Sequence, residues 1–242
     1  MFGDDEIYLG RIHPKDAQIL KELTEPRNWD YGRFKRVMVA LGIVGGGQAI
    51  PAPNRPESIH LQGLRPFVDG LVAKTTQGQD EHAQPVFADT EKKSLVMGRI
   101  TRGSGDSVRL DVKKAPGREP HQRLIGSVHT HPTATGRELS HGLSGQDYRT
   151  LLSGPNQQFM MITWGDENKL LILKTSATPN NLKPAQVNAR VKTCEEEFLQ
   201  SGTAYSMSSV VEFNKTVCTE FGLTMYIADK QSRDLFNRVN VV

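Results

Sequence analysis

The sequence predicts an α/β fold of the three-layer, α+β kind, in which a mixed sheet lies between helices. Apolar runs of strand length occupy the middle of the chain at Arg123–His131, Phe159–Trp164 and Lys169–Lys174. The last third carries apolar residues at helical spacing, beginning with Val187, Val191 and Cys194. Strands and helices come in blocks instead of alternating strictly, which favours packed layers over a βαβ barrel.

The first 60 residues predict a separate helical extension. A helix begins at Pro14, and Asp30 caps a second one that runs to about Leu41. A triple glycine and the proline-rich segment 51–56 then have the composition of a linker. We therefore expect an N-terminal extension over residues 1–60 and a main domain over residues 61–242.

The main domain is predicted to begin with a helix from Pro66 to about Lys74, followed by a polar loop. A turn at residues 102–106 separates the next two strands, and residues 165–168 form another turn. In order, the remaining predicted elements are strands 94–101, 108–113 and 123–131, helix 144–152, strands 159–164 and 169–174, helices 183–200 and 206–221, and strand 223–227.

Composition excludes several classes of protein. The net charge of +3 is too small to predict nucleic-acid binding, and no run of about 18 apolar residues predicts a membrane span. Cys194 and Cys218, the only cysteines, are expected to be buried thiols in a cytoplasmic protein. Residues 92–123 carry an excess of lysine and arginine, which indicates either a solvated hairpin or a docking face for an acidic partner.

The segment with the most chemical information is Gly126-Ser127-Val128-His129-Thr130-His131-Pro132. Side chains alternate along a strand, so His129 and His131 point to one face and Thr130 to the other. Pro132 ends the strand and places the pair at the rim of the sheet. Such a pair can hold a zinc ion, although two histidines at this spacing also occur for packing alone.

A second polar pair lies at the start of the next predicted helix. Ser144 and Asp147 are three residues apart, so they share one face of the helix. The carboxylate could bind a metal. The same spacing is close to a helix capping box, which requires no metal, and the two roles are compatible.

Taken together, HTHP, a loop and then SGQD resemble the motif of the JAMM (MPN+, JAB-domain) zinc metalloprotease family. The resemblance covers about residues 66–175. It implies a JAMM/cytidine-deaminase-like mixed sheet and a Zn2+ ion held by His129, His131 and Asp147. Ser144 would then hydrogen-bond the attacking water or help to hold the oxyanion.

The family motif also includes an upstream glutamate, which acts as the general base. Glu91 fits best, because the segment from Glu91 to Gly98 resembles the family's Glu-x-x-Gly-x-x-x-Gly, with Ser94 in place of the first glycine. Glu81 and Glu57 are the alternatives. The base would take a proton from the attacking water and pass it to the leaving amine.

The loop from Pro132 to Leu143 is longer than the family usually has. It is either an ordinary insertion, a flap over the site, or the source of an extra ligand, His141. The resemblance implies a hydrolase that cleaves a peptide or isopeptide bond of a protein or peptide, such as a ubiquitin-like conjugate or precursor. The alternative is a scaffold of the same fold that binds a partner and whose metal site is silent or structural.

Overall fold

The computed structural model describes residues 55, 57–61, 65–89, 94–104, 107–108, 110, 121–132, 142–154, 157–164, 168–179, 182–202, 207–232 and 234–240. The two predicted N-terminal helices and Glu91 lie outside these residues. So do His141, most of the loop from 132 to 143 and nearly half of the basic segment 92–123.

Within the described residues the chain forms nine strands and four helices. The strands are β1 (Ser58–His60), β2 (His82–Asp89), β3 (Ser94–Met97), β4 (Thr101–Arg102), β5 (Gln122–His131), β6 (Phe159–Trp164), β7 (Asn168–Lys174), β8 (Leu223–Ala228) and β9 (Leu235–Val239). The helices, which we number from this part of the chain, are α1 (Arg65–Gly78), α2 (Gly145–Ser153), α3 (Pro184–Gln200) and α4 (Met207–Phe221).

The strands form one sheet in the order β1-β9-β8-β7-β6-β5-β2-β3, with β4 paired to β2. β5 and β6 are parallel, and the other strand pairs described are antiparallel. The fold is therefore a mixed α/β arrangement with a mostly antiparallel sheet flanked by helices, as the sequence predicted at this level.

Alternate residues of the central strands pack against helices on opposite faces of the sheet. Met161 lies in an apolar cluster with Val68 and Leu71 of α1. Met160 and Ile162 lie in a second cluster, which contains residues of α2, α3 and α4. Because side chains alternate along a strand, α1 covers one face and the other three helices cover the opposite face.

The helices and several strands were predicted to within a few residues, but β2 was missed. The residues after Lys74 were predicted to be a polar loop, whereas α1 continues to Gly78 and His82–Asp89 form a strand between β5 and β3. Pro85 argues against a central strand because it lacks an N–H. The pairing of β2 with β5 is irregular next to Pro85, since the register shifts between Val86 and Phe87.

Two short strands were also missed, and one predicted strand is divided. β1 and β9 have three and five residues, too few for a clear alternating pattern. The predicted strand 94–101 is β3 and β4 with an interruption between them. Of the predicted strand 108–113, Val108 and Leu110 are described, and neither is in a strand.

The sheet begins before the predicted domain boundary. β1 pairs with β9, and the Arg55 side chain is fully buried and donates to the carbonyl oxygen of Lys174. The boundary near residue 60 therefore falls at the end of a strand of the sheet.

Cys194 and Cys218 are buried free thiols, as predicted, and burial raises the pKa of Cys218 to about 12. In the described part of the chain, no helix is long and apolar enough to cross a bilayer.

Candidate metal centre

The two histidines of the HTHP segment lie together at the end of β5. β5 is flanked by β2 and β6, so the imidazoles rise from the interior of the sheet. His129 is 4% exposed and His131 is 7% exposed. Their ring centroids are 5.0 Å apart. The side chain of the preceding residue, Val128, lies in the cluster with α1, so by alternation both rings lie on the face covered by α2, α3 and α4.

Helix α2 brings Asp147 to the same place. Ser144 is its N-cap and forms a capping box with Asp147. Asp147 Oδ2 accepts hydrogen bonds from the Ser144 backbone N–H at 2.8 Å and from the Ser144 hydroxyl at 2.7 Å. The other oxygen, Oδ1, lies 3.5 Å from His129 Nε2. Asp147 therefore closes the helix cap with one oxygen and presents the other to the histidines, so both roles foreseen from the sequence are compatible.

The three side chains have the geometry of a metal site. One ligand atom from each of His129, His131 and Asp147 lies within 4.8 Å of the other two. Ligand bonds of about 2.0–2.1 Å at tetrahedral angles place ligand atoms roughly 3.4 Å apart, close to the His129–Asp147 separation. His129 Nε2 is also buried without a hydrogen-bond partner among the described residues. A buried polar nitrogen costs free energy unless it is bonded, and a cation would satisfy it. The residues therefore fit zinc.

The electrostatics favour a cation as well. Burial raises the pKa of Asp147, but His129, His131 and the Ser144 hydroxyl lower it more, so its pKa lies well below the usual range. Burial lowers the pKa of His129, but Asp147 and Glu81 outweigh it and raise the pKa. A positive charge is thus favoured between these groups. A metal ion can take the place of the proton, since a histidine ligand must be neutral.

Glu81 supplies a second carboxylate, which lies beside the cluster of His129, His131 and Asp147. Its Oε1 lies 3.7 Å from His131 Nε2, and the residue is 8% exposed. The Glu81 backbone is held on both sides, because its N–H donates to Ser104 O at 2.9 Å and its C=O accepts from Gly103 N–H at 2.8 Å. Glu81 immediately precedes β2 and lies across from the end of β5.

The other two candidates for the base differ from Glu81. Glu57 forms an ion pair with Arg238 and directly precedes β1, which four strands of the sheet separate from β5. Glu91 lies outside the described residues, and its assignment stays a prediction. The nearest described residue before it, Asp89, pairs with Gln122, at the opposite end of β5 from His129.

Sequence reasoning named Glu81 only as an alternative because β2 was not recognised. A signal was available. Val86, Phe87 and Ala88 form an apolar run soon after the polar segment that follows α1. A strand there would place Glu81 at its start, where it can meet the end of a neighbouring antiparallel strand.

Comparisons with family models, with curated proteins and with solved structures found no match to this chain.

Proposed function

We propose that this chain is a zinc-dependent hydrolase of the JAMM type, with the JAMM/cytidine-deaminase-like arrangement of sheet and helices, that cleaves a peptide or isopeptide bond. The observation that carries the proposal is the convergence of four side chains from separate parts of the sequence. His129 and His131 come from β5, Asp147 comes from α2, and Glu81 comes from the start of β2.

The residues have distinct roles in this proposal. His129, His131 and Asp147 would hold Zn2+, a Lewis acid that would make water a nucleophile near neutral pH. Glu81 takes a proton from the attacking water and returns it to the leaving amine, so it replaces Glu91 as our preferred general base. Its position next to His131 supports this choice. Ser144 is exposed and donates to Asp147, and it fixes the orientation of that ligand.

The substrate class rests on the resemblance of the motif. A ubiquitin-like conjugate or precursor would present an amide bond at the end of an extended tail. Ser144 is exposed, which supports the approach of a protein substrate from the α2 side of the site. The two free thiols are compatible with a reducing cytoplasm.

The test is hydrolysis by the zinc-loaded protein. We would incubate it with isopeptide-linked ubiquitin dimers, linear ubiquitin fusions and a library of peptides from a digested proteome, and measure the products by mass spectrometry. We expect cleavage that a zinc chelator stops and that added zinc restores. If the zinc-loaded protein cleaves no substrate faster than a His131→Ala variant, hydrolysis is contradicted and the scaffold alternative is favoured.

A further inference from the structure

A buried hydrogen-bond network lies behind the candidate metal centre, on the face covered by α1. Its members are Thr75 of α1, His82 of β2 and Thr130 of β5, which are all at most 6% exposed. Thr75 Oγ1 is hydrogen-bonded to Thr130 Oγ1 and lies 3.0 Å from His82 Nδ1. The His82 backbone N–H donates to Thr130 Oγ1 at 3.1 Å. We call these three residues the threonine–histidine ring.

The donor and acceptor in each hydrogen bond of this ring can be assigned from one neighbouring group that can only accept, the carbonyl oxygen of Asp80. His82 Nδ1 lies 3.0 Å from the carbonyl oxygen of Asp80, which can only accept, so Nδ1 carries the proton. Thr75 Oγ1 then accepts from Nδ1 and donates its own proton to Thr130 Oγ1. The Thr130 hydroxyl is left to donate to His82 O, 3.3 Å away. Each donor therefore has an acceptor, which is what a buried polar network needs to be stabilising.

The ring joins the residues on both sides of Glu81 to the strand that carries the histidines. Asp80 and His82 flank Glu81, and both take part in the hydrogen bonds. Thr130 lies between His129 and His131 in the sequence, but its side chain is on the opposite face of β5. Asp80 is also bound to Arg102, with Nε 2.6 Å from Oδ2.

We propose that Thr130 is a positioning residue, which acts through the ring to hold the Glu81 carboxylate at its place beside His131. The inference rests on the proposed function, in which Glu81 is the base. A general base must lie within hydrogen-bond reach of the proton it removes, and a displacement of about 1 Å can lower a rate about 100-fold. Loss of the ring leaves the start of β2 attached through the Glu81 hydrogen bonds to Gly103 and Ser104 but removes its side-chain link to β5. No group that would touch metal or substrate is removed.

Three variants separate this role from general stability. Thr130→Val keeps the shape of the side chain and removes the hydroxyl, whereas Thr130→Ser keeps the hydroxyl. Thr163→Val is the matched control, because Thr163 lies opposite Thr130 on β6 and is 1% exposed. The Thr163 hydroxyl has no hydrogen-bond partner among the described residues, so its removal should cost little.

The first measurement is amide hydrogen exchange at Glu81 and His82, which needs no substrate. We expect Thr130→Val to speed exchange of the His82 amide about tenfold or more, and to speed that of Glu81 as well. Thr130→Ser and Thr163→Val should leave both amides close to wild type. Unchanged exchange in Thr130→Val would overturn the inference even if the protein hydrolyses nothing.

The second measurement is turnover at saturating zinc, with a substrate found in the hydrolysis test. We expect Thr130→Val to lower kcat about tenfold or more with little change in KM or in zinc affinity, and Thr130→Ser to restore it. A zinc affinity lowered about 10–100-fold with normal kcat would overturn the inference, because the ring would then act through the histidines. Inactive wild-type protein would count against the proposed function, and the exchange result would still decide the inference.

Discussion

Replacing His129 with alanine is expected to weaken zinc binding so far that the purified variant no longer carries one zinc per chain. The wild-type protein should take up about one zinc per chain, because three ligand atoms converge within 4.8 Å. The variant loses one of the three protein ligands, the buried Nε2 that has no hydrogen-bond partner among the described residues. Two remaining ligands leave a more open site that holds zinc weakly.

Thermal unfolding makes this difference measurable. Zinc at about 100 times its Kd stabilises the folded state by about 2.7 kcal/mol, since the unfolded chain has no preformed site. For a protein of this size that should raise Tm by about 5–11 °C. The His129→Ala variant should show no such rise.

His121→Ala is the matched control, because His121 directly precedes the opposite end of β5. It should bind zinc as the wild type does. A His129→Ala variant that keeps equimolar zinc and the full Tm rise would place the metal elsewhere.

Replacing Glu81 with glutamine should remove turnover but keep zinc. Glutamine has the shape of glutamate but cannot accept a proton, so the expected loss in kcat is about 100-fold to 10,000-fold. Glu81 is not one of the three grouped ligands, so zinc content should stay near one per chain. The measurement pairs elemental analysis with the rate of hydrolysis of the same zinc-loaded sample.

Glu91→Gln is the informative comparison for this experiment. If Glu81 is the base, the Glu91 variant should hydrolyse at close to the wild-type rate. The opposite result, in which Glu91→Gln is inactive and Glu81→Gln is active, would restore the assignment made from the sequence. Zinc loss in both variants would mean that the carboxylates affect metal binding and not proton transfer.

The cluster of candidate ligands could be predicted because the geometry within each of its two pairs follows from local rules. His129 and His131 are two residues apart on a strand, so they share a face whatever the strand pairs with. Ser144 and Asp147 are three residues apart at a helix start, which predicts the capping box that the structure contains. Their convergence depends on the packing of α2 beside β5, and only the family resemblance suggested that from the sequence.

The position of Glu81 could not be predicted in the same way. It depends on the pairing of β2 with β5, which joins residues far apart in the sequence: His82 pairs with Thr130. Pro85 made the strand hard to recognise, and the glycine pattern after Glu91 favoured Glu91 as the base, an assignment that stays a prediction. The threonine–histidine ring depends on the same pairing and on the position of Thr75 near the end of α1, so no local sequence pattern predicts it.

The most direct test of the central claim is a crystal structure of the zinc-loaded protein with anomalous diffraction measured above and below the zinc edge. The expected result is one strong anomalous peak from a single zinc ion. The ion should be bound by His129 Nε2, His131 Nε2 and Asp147 Oδ1 with bond lengths of about 2.0–2.2 Å, and the Glu81 carboxylate should lie close by. A peak at other residues, or none from protein saturated with zinc, would contradict it.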